Sequence, residues 1–176
     1  MQDDQMIEIK AYDLHWLNRV EDNPNDLCAH GSVAITIDEQ RFVPEDEYCV
    51  SAAAVYLLRT LDEGYEKSDQ DEQLIPHCGH SMFEVENSDD VMIIGCPHGY
   101  DFLVQRVGEM VRLEFEDGEV FQVSSSDWEK AVCAFSDSVE KLYDDSAAKE
   151  PSDEVSQAGY DAFRGEWKRR REMFRQ

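Results

Sequence analysis

The chain has 176 residues, 41% of them hydrophobic, enough for one domain with its own core. Sixteen Lys and Arg face 40 Asp and Glu, a formal net charge of -24. That balance excludes a direct grip on nucleic acid, which takes clustered basic side chains; it favours solubility and the steering of cationic partners.

The first strand is expected over 6–12 (MIEIKAY), where apolar and polar residues alternate. Residues 18–30 are polar and contain Asn23-Pro24-Asn25-Asp26, so they read as a loop. A second strand is expected over 31–37 (GSVAITI), then a turn at Asp38-Glu39 and a short strand near Arg41–Val43. Ser51 is placed as the cap of a helix over about 51–63, with Val55, Leu58 and Leu61 at helical spacing and Gly64 beyond its end. Residues 65–75 are charged and expected to be mobile.

The centre reads as a β-meander. Strands are expected over 81–86, 91–96, 101–107, 109–115 and 119–124, with turns at Asn87–Asp90 and Asp117-Gly118. Ser126 with Glu129 has the form of a capping box opening a helix over about 127–143, its stripe being Trp128, Val132, Phe135, Val139 and Leu142. A polar link, 144–153, leads to a last helix over about 154–174 carrying Tyr160, Phe163, Trp167 and Phe174. The expected class is α+β: an antiparallel meander of four or more strands with two to three helices on one face, in a single domain.

The charge is uneven. From Arg164 onward six basic residues stand against two acidic ones, so the other 163 residues carry -28. The tail helix is expected to clamp onto the acidic body through its aromatic stripe and ion pairs. Carboxylates gather at the turns, and Asp22, Glu45, Asp46, Glu47, Asp69, Asp71, Asp89 and Asp90 are the expected contacts for a basic protein partner.

One segment could carry chemistry. Pro76-His77-Cys78-Gly79-His80 and Cys96-Pro97-His98-Gly99 flank an expected hairpin that sets position 80 opposite 98. Cys78, His80, Cys96 and His98 are therefore the alternative metal or thiol site. The chain lacks the C-x₂₋₄-C knuckle of zinc sites, so no cofactor is assigned. Cys28-Ala29-His30 reads as a loop entering a strand. No Gly-rich phosphate loop, G-x-S-x-G or H-E-x-x-H is present, and the chain is read as a binding protein, not an enzyme.

The acidic start MQDDQ is unlike a secretory leader, and no stretch approaches the roughly 18 apolar residues of a membrane span. Five widely spaced cysteines argue against a disulfide framework and for the cytoplasm. A third reading gives the acidity no role beyond solubility, as in proteomes adapted to high salt.

The segments LIPHCGHSMFEVENSDDVMIIGCPHGYDFLVQR and KEPSDEVSQAGYDAFRGEWKRRR, with Trp128 to Tyr143 between them, resemble a group of small uncharacterised bacterial proteins. Some of these look like immunity proteins of polymorphic toxin systems. The resemblance spans most of residues 1–171 and rests on aromatic, Gly and Pro landmarks. Members often have a Cys-Cys pair where this chain has His77-Cys78. The role implied is neutralisation of a partner, such as a toxin or nuclease, by tight binding; no functional residue is carried over.

Overall fold

The computed structural model describes residues 5–66, 73–79 and 81–174. In chain order its elements are β1 (Ile7–Trp16), β2 (Ala29–Ile37), β3 (Gln40–Arg41), β4 (Tyr48–Cys49), α1 (Val50–Arg59), β5 (Ile75–Pro76), β6 (Ser81–Phe83), β7 (Met92–Ile94), β8 (Gly99–Tyr100), β9 (Leu103–Val107), β10 (Met110–Glu114), β11 (Val120–Ser124), α2 (Ser125–Asp144) and α3 (Glu154–Met173). The fold is α+β and every strand pair is antiparallel.

β1 and β2 form the longest pair, Ile7↔Ile37 through Trp16↔Ala29, interrupted by a bulge between Tyr12 and His15. Asp13 takes φ 52° there, a left-handed conformation that Asp tolerates better than most residues. The bulge lets β1 run past the expected end at residue 12. Asp38 and Glu39 both have positive φ and make the tight turn expected between β2 and β3.

The central strands depart from a single sheet. β9, β10 and β11 form a three-stranded meander, the last part of the longer one expected. The preceding hairpin stands apart and is broken in two. Ile75↔Tyr100 and Ser81↔Ile94 lie in one register, so β5–β8 and β6–β7 are two halves of one long hairpin. Between the halves lie Cys78, Gly95 and Cys96. A Cβ on Gly95 would overlap the Cys78 carbonyl oxygen, so the strands approach there more closely than a side chain allows.

Helix starts differ from expectation at two caps. Ser51 does not cap α1; Cys49 is its N-cap and offers no side-chain bond. Ser51 is instead fully buried, its hydroxyl accepting from Ala29 N–H at 2.7 Å and bonding to the Tyr143 hydroxyl at 2.7 Å. α1 also stops at Arg59, short of residue 63. The cap of α2 is Ser124, not Ser126: its Oγ accepts from Asp127 N–H at 3.0 Å and donates to the Asp127 carboxylate at 2.7 Å.

One hydrophobic cluster joins the elements. Trp128, Val132, Phe135 and Val139 of α2 are buried, as their spacing requires, and so are Phe163 and Trp167 of α3. Phe42 stacks on Phe115 at 4.2 Å, tying the β1–β2 sheet to the meander. α1 packs against both other helices, and α3 packs along β6. Among the described residues no helix is long and apolar enough to cross a membrane.

Candidate functional site

The arginines of α3 are neutralised within the fold. Glu166, fully buried on α3, accepts from Arg59 Nε at 2.7 Å, Arg170 Nε at 2.7 Å, a second Arg59 nitrogen at 2.9 Å and Val91 N–H at 2.7 Å. Arg170, 2% exposed, also reaches Asp62, Glu63 and Asp90. Burial alone would lower the pKa of both guanidiniums; the bonds to Glu166, joined for Arg170 by Glu63, outweigh it and raise them. Arg164 pairs with Glu140, Arg169 with Asp90 and Arg171 with Asp137. The four arginines of α3 are thus all ion-paired, as a clamping tail helix requires.

This network fixes the turn between β6 and β7. Val91 is held at both backbone groups, its N–H on Glu166 and its carbonyl accepting from Arg59 at 2.7 Å. Desolvation would raise the Asp90 carboxyl, but Arg170 and Arg169 hold it below its usual range. The rest of the turn projects. Glu84, Glu86 and Asp89 are exposed, and none has an ion pair among the described residues. Exposed Val85, Met92 and Ile94 lie beside them. The result is an acidic tip with an apolar flank, on a turn bolted down at one end.

The eight carboxylates expected as partner contacts fall into three groups. Asp22, Glu47 and Asp90 are committed internally. Asp22 accepts from Ala147 N–H at 2.5 Å and from Lys149 at 2.9 Å, and these bonds lower its pKa. Glu47 pairs with Arg19 at 2.8 Å, which lowers its pKa. Glu45, Asp46 and Asp89 are exposed, with Asp46 3.7 Å from His77. Asp69 and Asp71 lie outside the described residues. Glu84 and Glu86 were hidden from sequence reading because they fell inside the expected strand over 81–86; β6 ends at Phe83, which frees them.

The cysteines gather at the break in the long hairpin. The expected pairing of 80 with 98 is corrected: His77 N–H donates to the His98 carbonyl at 2.9 Å, a shift of three positions. His80 lies outside the described residues. Cys78, Cys96 and His98 do not converge as a three-ligand group. Cys96 N–H donates to Cys78 Sγ at 2.7 Å, and Cys96 S–H donates to the His98 carbonyl at 3.8 Å. Desolvation would raise the Cys96 thiol, but the Cys78 side chain and nearby backbone groups hold it below its ordinary value. Cys78 is pushed up, first by burial and then by Cys96.

Beneath this pair, Cys28 and Cys49 are joined by a disulfide, which the sequence reading did not expect. The β2–β4 register, His30↔Cys49, brings the residues together. Cys28, His30 and Cys49 place their ligand atoms within 4.8 Å of one another, the one group of its kind among the described residues. The bridge ties up both sulfurs, which as thiolates would be the metal ligands.

His30 is 6% exposed and its Nδ1 lies 3.1 Å from the Cys28 carbonyl oxygen. Burial lowers its pKa, so folding favours the neutral ring. The resulting stability is present above the unfolded-state pKa of about 6.5 and is lost as pH falls below it. The urea midpoint should therefore drop between pH 7 and pH 5.5, by less in His30→Gln. An equal drop in both proteins removes His30 as the cause.

No family model matches the chain, and no curated protein or solved structure matches it.

Proposed function

We propose that this is a binding protein that receives a cationic protein partner on the tip and apolar flank of the β6–β7 hairpin. The observation that carries the reading is the division of charge. The arginines of α3 are spent on buried or neighbouring carboxylates, while Glu84, Glu86 and Asp89 stand free beside Val85, Met92 and Ile94. Lys and Arg side chains suit such a surface, because their stems lie on apolar ground while their heads meet carboxylates. Neutralisation of a basic toxin or nuclease, the role implied by the resemblance to immunity proteins, has this chemistry.

The test uses an arginine-rich peptide as probe. The combined variant Glu84→Gln, Glu86→Gln, Asp89→Asn should bind it about tenfold more weakly at low ionic strength, with a flatter salt dependence. Its urea midpoint should stay at the wild-type value, since none of the three carboxylates is ion-paired. Unchanged affinity at low salt would remove the hairpin from the reading and leave acidity as a solubility device.

A further inference from the structure

Cys78 and Cys96 enter the break in the long hairpin from opposite strands. The ladder resumes on either side, Pro76↔Gly99 and Ser81↔Ile94, so the register makes Cys78 and Cys96 diagonal neighbours across the break, with Cys96 N–H on Cys78 Sγ at 2.7 Å. Both are half-buried and reachable, whereas Cys133 is buried and Cys28 and Cys49 are buried and already bridged. We propose that Cys78 and Cys96 form a reactive dithiol site that exchanges with small disulfides of the glutathione class and closes to a Cys78–Cys96 bridge.

The roles follow from the contacts. Cys96 Sγ lies at the exposed end of the pair, on the His98 carbonyl at 3.8 Å, while Cys78 Sγ is part-buried under the Cys96 N–H at 2.7 Å; the more accessible sulfur, as its thiolate, is the one that attacks a disulfide. Cys96 Sγ attacks one sulfur of the disulfide, forms a mixed disulfide and expels one thiolate. Cys78 then gives up its proton to that thiolate or to water and attacks Cys96 Sγ. The second thiolate leaves, and the new Cys78–Cys96 bond joins positions 18 residues apart. The protein loses two electrons and two protons, and one small disulfide becomes two thiols. The site is independent of the acidic tip, so failure of either proposal leaves the other standing.

The experiment is incubation of the intact protein with oxidised glutathione at neutral pH, followed by peptide mass mapping without reduction. Wild type should yield a peptide cross-linked through Cys78 and Cys96. Cys78→Ser should trap one glutathione on Cys96. Cys96→Ser should react at Cys78 on the order of tenfold more slowly, because the more exposed sulfur is gone. Glutathione adducts in wild type without a cross-link would overturn the proposal. So would a cross-link from Cys78 or Cys96 to Cys28 or Cys49, which assigns the exchange to the internal bridge. The wild-type map needs no variant, so a misfolded serine mutant cannot rescue or sink the result.

Discussion

Glu166→Ala should destabilise the fold by about 3–5 kcal/mol, the range expected when one member of a buried ion-pair network is removed. The side chain is fully buried and collects four N–H donors on two oxygens. Alanine strips all four and leaves the Arg170 guanidinium in the interior with part of its charge uncompensated. Glutamine is nearly as poor a substitute, since it offers one acceptor oxygen where the carboxylate has two and points an amide donor at the remaining N–H groups. Urea titration measures the loss. Amide exchange at Val91 should accelerate in both variants, because its N–H partner is Glu166 itself. A Glu166→Gln protein as stable as wild type would show that hydrogen bonding to a carboxylate is not what holds α3, α1 and the hairpin turn together.

Gly159→Ala should cost about 3 kcal/mol, the upper part of the overpacking range. A Cβ there would overlap the carbonyl of Met82, and both Met82 and Phe83 meet the helix through backbone. Backbone cannot rotate away as a side chain can, so α3 must lift from β6. The ordinary helix-propensity gain of alanine over glycine, under about 1 kcal/mol, acts in the opposite direction and is too small to win. A thermal melt distinguishes the two effects by sign. A raised midpoint would contradict the close docking of α3 on β6.

These two residues also show what a sequence exposes and what it hides. The stripes of α2 and α3 were legible because Trp128, Val132, Phe135 and Val139, or Phe163 and Trp167, repeat at the helical period against a polar background. The cap of α2 was misplaced because three serines, Ser124 to Ser126, run in succession; the strand pairing Met110↔Ser124 ends β11 there and sets the helix start. Ser51 looks like a cap in sequence, yet β4 pairing pulls the start of α1 inward and turns Ser51 into an interior hydroxyl. Glu166 sits in a charged tail and gives no sign of burial, since its partners Arg59 and Val91 are distant in sequence. The meander was legible as strands but not as a broken hairpin, because the break depends on the close approach at Gly95. The cysteines at 28, 49, 78 and 96 have no motif spacing; β2–β4 pairing and the hairpin register bring them together.

The two findings that matter for function share one physical origin. The Glu166 network takes up Arg59 and Arg170, with Arg169 joined through Asp90, and simultaneously fixes Asp90 and Val91, leaving the carboxylates before them exposed on a held turn.

The most direct measurement is an amide-resolved NMR titration of the wild-type protein with an arginine-rich peptide. Shift changes should concentrate on residues 84–94 and fade with added salt. Changes scattered over the whole surface in proportion to its carboxylates would contradict a defined cationic-partner site on this hairpin.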